Sequence, residues 1–155
     1  MKLNSPFVLL GLAAIVVEAV LLVTPGVSAQ ELEGGLDSDG PGPTDGVVAF
    51  YFHGNARCAT CRKIEAYSDE AVRSAATEAL ADGALSWRVV NVDEPENRHF
   101  IEDFQLVTKS VVLAEYRDGE VVRFKNLDKV WQLVRSKDDF VEYVKSETRE
   151  FLTAS

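Results

Sequence analysis

Val47-Val48-Ala49-Phe50-Tyr51-Phe52-His53-Gly54-Asn55-Ala56-Arg57-Cys58-Ala59-Thr60-Cys61-Arg62-Lys63-Ile64-Glu65 is the stretch whose pattern decides the fold. Its first six residues are an unbroken apolar run, as expected of a strand buried on both faces. Polar residues then interrupt it. From Ala59 onward Ile64, Ala71, Val72, Ala75, Ala76 and Leu80 recur at three- and four-residue steps. That period predicts helix over 59–81, with Ser68-Asp69-Glu70 as a bend or restart and Asp82-Gly83 as a glycine stop. The two cysteines of the chain thus fall where a strand hands over to a helix.

Working outward, Leu85 to Val92 reads as a second strand, rich in β-branched and aromatic residues. Asp93-Glu94-Pro95 turns the chain into a short helix over 96–104, with Phe100, Ile101 and Phe104 expected inward. Val111 to Tyr116 and Val121 to Lys125 flank Arg117-Asp118-Gly119-Glu120, and the Asp-Gly pair predicts an antiparallel hairpin. Asp128 is placed to cap a turn through Trp131 and Leu133. Ser136-Lys137-Asp138-Asp139 resembles a capping box ahead of a last helix to about Leu152, with Phe140, Val144, Phe151 and Leu152 toward the sheet. The order β-α-β-α-β-β-α predicts a three-layer α/β/α sandwich over 47–155. Two right-handed crossovers would give parallel strands, and the hairpin an antiparallel edge.

The chain begins with an address. Met1 and Lys2 precede an apolar run from Phe7 to Val17, interrupted by Glu18 and resumed from Ala19 to Val23. Pro25-Gly26 and the small residues Val27-Ser28-Ala29 follow, so residues 1–29 read as a secretory signal peptide. The rival is an uncleaved membrane anchor, for which the 17 residues from Phe7 to Val23 are at the short limit and Glu18 is costly. Either way the remainder is expected to be exported and extracytoplasmic, periplasmic or secreted. Residues 30–46, rich in Gly, Pro and acids, have little to bury and read as a flexible linker.

Composition agrees with one folded domain. Of 155 residues, 46% are hydrophobic and 26% charged, which excludes a disordered, collagen-like or coiled-coil chain. A net charge of −9 repels phosphate backbones, so no nucleic-acid partner is expected. There is no Ser-His-Asp order, no phosphate-binding glycine loop and no paired-carboxylate signature.

Chemistry concentrates at Cys58-Ala59-Thr60-Cys61. A cysteine at a helix N-terminus meets free N–H groups and the positive end of the helix dipole, both of which stabilise thiolate. Arg57, Arg62 and Lys63 add positive charge beside it. Cys61, one turn further, faces the same side and can close a disulfide. Cys58 is therefore the expected attacking thiolate and Cys61 the buried resolving thiol, acting on a thiol or disulfide partner protein, a small thiol, or a membrane redox partner. Two other readings suit the pair: a structural disulfide without turnover, and a non-catalytic module that binds Cu(I) or zinc, or a membrane partner, through Cys58, Cys61 and His53. His99 reads as a solvated surface histidine. Trp87, Trp131 and Tyr51 read as packing residues, and the acids of the last helix as a solvated face.

From Val47 to Leu152 the sequence resembles the thioredoxin superfamily, in element order and in the position of the Cys-x-x-Cys motif. The stretch from Phe52 to Glu65 is more particular and resembles the small exported group catalogued as nitrophenyl-compound nitroreductase subunits of the ArsF family. Nothing in the sequence forms a flavin site, so no cofactor is expected from that name. Asn91-Val92-Asp93-Glu94 resembles the acidic end of the second thioredoxin strand. The departures are specific: Arg57 stands where the family has an aromatic residue, Ala59-Thr60 where it has Gly-Pro, and Phe52 where it has a buried acid. Ser110 stands where it has a cis-proline. The resemblance then implies that a Ser110 hydroxyl and N–H lie near Cys58, favouring small or metal-bearing ligands over extended peptides.

Overall fold

The computed structural model describes residues 43–154. The expected signal or anchor (1–29) and residues 30–42 of the expected linker lie outside them. The apolar run becomes β1 (Gly46–His53), buried along six consecutive residues. Its side chains alternate between two cores. Val47, Ala49 and Tyr51 join Ile64, Val72, Phe140 and Val144 on one face, while Val48, Phe50 and Phe52 join Phe104, Val112 and Tyr116 on the other. This is why the run shows no polar alternation: both faces of the strand are covered.

The other strands are β2 (Leu85–Asn91), β3 (Ser110–Arg117) and β4 (Glu120–Asn126), in the spatial order β2-β1-β3-β4. β1 and β2 are parallel, and β3 runs antiparallel to both β1 and β4. The sheet therefore contains one parallel pair, and the expected second crossover is not made. The reason lies in the connection. β2 ends opposite His53 and β3 begins opposite Phe52, at the same end of β1. Between them lies only a 3₁₀ turn (Pro95–Asn97) and α3 (His99–Asp103). The five-residue α3 does not carry the chain back along the eight-residue β1. Instead this segment lies over β1, where Phe100 and Phe104 meet Phe50 and Phe52 with ring centroids 5.3–5.7 Å apart. Ile101, expected inward, is exposed.

α1 (Ala59–Ala75) runs unbroken through Ser68-Asp69-Glu70, and the break falls at Ala76, with φ −150° and ψ 66°, before α2 (Thr77–Ala81). Ser68 is fully buried, so the polar triplet crosses the helix face rather than marking its end. α5 (Lys137–Thr153) packs beside α1 on the same side of the sheet, with Phe140, Val144 and Phe151 buried. Arg149 Nε donates to the Ala75 carbonyl at 3.0 Å, closing the end of α1. Ser136 makes no side-chain cap, so the acids Asp138 and Asp139 face the start of α5 without the expected capping box. Asp128 likewise does not cap α4 (Val130–Leu133). The hairpin between β3 and β4 has positive φ at both Asp118 and Gly119 (53° and 82°), as a type I′ turn requires. Thr44 and Asp45 bind this turn, through Gly119 N–H to the Thr44 carbonyl (2.7 Å) and Asp118 N–H to Asp45 Oδ1 (3.1 Å). Among the described residues no helix is long and apolar enough to cross a membrane.

Candidate functional site

Cys58 and Cys61 are joined as a disulfide, with Cα atoms 5.1 Å apart. Cys58 is the N-cap of α1, in extended conformation, so the helix starts on the residue after it. Its sulfur accepts the Cys61 N–H at 3.1 Å, and its carbonyl accepts the Arg62 N–H at 3.1 Å. A helix start leaves four N–H groups without helical partners, and here one of them is directed onto sulfur. Cys58 is exposed, whereas Cys61 is 1% exposed. The pair thus presents one sulfur to solvent and one to the core.

Tyr51 anchors this first turn from below. Its hydroxyl, within the fully buried side chain, donates to the Cys61 carbonyl at 2.8 Å, tying β1 to α1 beneath the disulfide. Burial pushes the Tyr51 phenol up to about 12, against a smaller pull from the Arg57 cation. Sequence reasoning assigns Tyr51 to packing alone. Its hydroxyl had no recognisable partner there, because a backbone carbonyl ten residues away carries no pattern.

The three cations differ in their surroundings. Arg57 donates from Nη1 to His53 Nε2 at 3.1 Å and from Nη2 to Glu65, with which it forms an ion pair. Its positive charge is therefore largely committed to a carboxylate two turns into the helix. Arg62 and Lys63 are exposed. His53 Nδ1–H donates to the Gly54 carbonyl at 3.0 Å, leaving Nε2 as the acceptor for Arg57. With one ring nitrogen protonated and the other engaged, His53 offers no lone pair to a metal. Among the described residues no group of three or more His, Cys, Asp or Glu side chains is placed to hold a metal ion. The set Cys58, Cys61 and His53 is consequently not assembled as a metal centre. The sulfurs are bonded to each other and the imidazole faces Arg57.

A polar brace that the sequence did not reveal holds the β1–α1 loop. Asn55 N–H donates to Asp93 Oδ2 at 2.7 Å, and Asn91 Nδ2 donates to Asn55 Oδ1 at 2.8 Å and to Glu94 Oε1 at 3.1 Å. Asn97 Nδ2 reaches both the Asn91 carbonyl and Glu94 Oε2. A β-carbon at Gly54 would lie 2.6 Å from Asp93 Oδ2, so glycine there permits the close approach. Next to this loop is a depression of about 260 Å³, whose lining includes His53, Gly54, Ala56, Asp93, Ile101 and Lys109. Ser110, at the start of β3 opposite Phe52, donates its hydroxyl to the Thr108 carbonyl at 2.8 Å. It lines a second, smaller depression with Trp131, whose indole N–H donates to the Lys109 carbonyl at 2.8 Å. Trp87 is buried in the core, and His99 is exposed against Asp103.

No protein-family model matches this sequence, and no curated protein matches it.

Proposed function

We propose that this chain is a thioredoxin-like thiol–disulfide exchange protein in which Cys58 attacks and Cys61 resolves. The observation that carries the reading is the asymmetric pair: an exposed sulfur that caps a helix and accepts a backbone N–H, linked to a buried one a turn away. The strand order β2-β1-β3-β4 with one parallel pair, and the disulfide at the β1–α1 junction, support a thioredoxin-like arrangement. The resemblance of Phe52 to Glu65 to the exported ArsF-type group supports the same reading. An N-terminal signal or anchor would put the chemistry outside the cytoplasm, where disulfide exchange persists.

Oxidation of a partner begins with a partner thiolate attacking Cys58 Sγ. A mixed disulfide forms and Cys61 leaves as thiolate. The partner's second thiolate then attacks the mixed disulfide at its own sulfur, forming the partner disulfide and releasing Cys58 as thiolate. Two electrons pass from partner to protein, and the reverse sequence reduces a partner disulfide. The Cys61 N–H at the Cys58 sulfur stabilises the leaving or attacking thiolate in both directions.

The experiment challenges the reduced protein with oxidised glutathione. Cys61→Ser is expected to accumulate a mixed disulfide at Cys58, and Cys58→Ser to form almost none. A wild-type pair that stays oxidised in excess dithiothreitol under native conditions would be a structural bond and would overturn the proposal.

A further inference from the structure

We infer that Glu65 is a positioning residue that sets the reduction potential of the Cys58–Cys61 pair by holding the Arg57 guanidinium away from the Cys58 sulfur; this rests on the exchange reading above. Cys58, Cys61 and Glu65 are spaced three and four residues apart and share one stripe of the α1 surface. Arg57 immediately precedes the N-cap, so the cation and the attacking sulfur belong to adjacent residues. Yet its guanidinium is held from two sides, by Glu65 on α1 and by the neutral Nε2 of His53 on β1. The third nitrogen, Arg57 Nε, is buried without a partner among the described residues. The arrangement restrains a cation beside a redox centre.

Its effect depends on redox state. In the disulfide neither sulfur is charged, and nothing competes with Glu65 for Arg57. After two-electron reduction Cys58 can carry a negative charge, and the thiolate and the Glu65 carboxylate then compete for the same guanidinium. As long as Glu65 is ionised, the cation is shared, the thiolate gains less, and the pair is more strongly reducing. Neutralising Glu65 releases Arg57 to the thiolate and favours the reduced form.

The test equilibrates protein with glutathione: dithiol protein plus one oxidised glutathione gives disulfide protein plus two reduced glutathione molecules. Glu65→Gln should shift this equilibrium toward the dithiol form by about two- to fivefold, the range of a partly exposed charge pair. Fivefold corresponds to about 20 mV for this two-electron couple. In an Arg57→Met background the same substitution should shift it by less than about 1.5-fold. A parallel measurement follows the pH dependence of Cys58 alkylation in Cys61→Ser, where Glu65→Gln should move the profile to lower pH only when Arg57 is present. Equal shifts in both backgrounds would mean that Glu65 acts directly on the sulfur, and no shift or one of opposite sign would overturn the inference outright. If the wild-type pair does not equilibrate with glutathione, the exchange reading fails, while the alkylation profile still decides the role of Glu65. Thermal melts of each variant separate these shifts from a loss of folding.

Discussion

Replacing Gly54 by alanine tests whether the polar brace holds the cysteine loop. Gly54 has no positive φ, so alanine is acceptable to the backbone, and in open space it would stabilise by about 0.4–1 kcal/mol through the unfolded chain. The obstacle is Asp93, whose Oδ2 would lie 2.6 Å from the new β-carbon. The carboxylate must swing away, and it then loses the Asn55 N–H, now 2.7 Å from it. A hydrogen bond to a charged group is worth about 1.5–3 kcal/mol, discounted here toward about 1–1.5 because the loop is exposed. The single variant should thus be destabilised by only about 0.5 kcal/mol, roughly 2–4 °C in Tm. The sign across a double-mutant cycle decides more than that magnitude. In an Asp93→Ala background the obstacle and the bond are both absent, so Gly54→Ala should stabilise by about 0.4–1 kcal/mol. Urea unfolding of the four proteins, all oxidised, measures the cycle. Equal destabilisation in both backgrounds would show that Asp93 is not what excludes a β-carbon.

Two further expectations follow from buried polar groups. Tyr51→Phe removes the bond to the Cys61 carbonyl and should cost about 0.5–1.5 kcal/mol in denaturant unfolding; a neutral result would mean that the hydroxyl does not tie β1 to the first turn of α1. Glu115, on β3, is gripped by Arg117 and Arg123, which hold its carboxyl below the usual 4.5. A depressed folded value contributes stability that is full above the unfolded pKa and lost as pH falls through the folded one. Glu115→Gln should therefore lower stability at pH 7 and weaken its decline between pH 5 and pH 3, read from urea midpoints; an unchanged decline would exclude Glu115 as a source of acid sensitivity.

What could be read from the sequence was local. The apolar run of β1, the helical period after Ala59 and the Asp-Gly turn each depend on neighbours within a few residues, and each appears with boundaries close to those expected. The direction of β3 could not be read the same way. Val111 to Tyr116 would look identical parallel or antiparallel, and the outcome depended on whether the preceding segment travelled back along the sheet. Phe100 and Phe104 settled it by filling the β1 face on the spot. Ser68 shows another limit: three polar residues in sequence resemble a helix break, but i to i+4 bonding carries a helix through them when Ile64, Ala71 and Val72 are buried around them. The brace of Asn55, Asn91 and Asp93 spans 36 to 38 residues and combines side-chain with main-chain groups, so no spacing rule would reveal it.

The cations around Cys58 were legible as residues but not as charges. Counting Arg57, Arg62 and Lys63 as three positive neighbours overstates their pull, because Arg57 is neutralised by Glu65 and the other two side chains are exposed. Exposed charges are screened over a Debye length of about 8 Å at physiological salt and individually contribute about 0.3 kcal/mol. A helix N-terminus contributes about 0.3–1 kcal/mol, and up to ~2 in partly buried geometry. The Cys61 N–H bonded to the Cys58 sulfur belongs to that second class and is not screened in the same way. In the proposed exchange reaction, stabilisation of a Cys58 thiolate would come mainly from the backbone, as at any helix that begins on the residue after a cysteine. What this sequence adds is control over how much further the thiolate is stabilised, and that control passes through Arg57, His53 and Glu65.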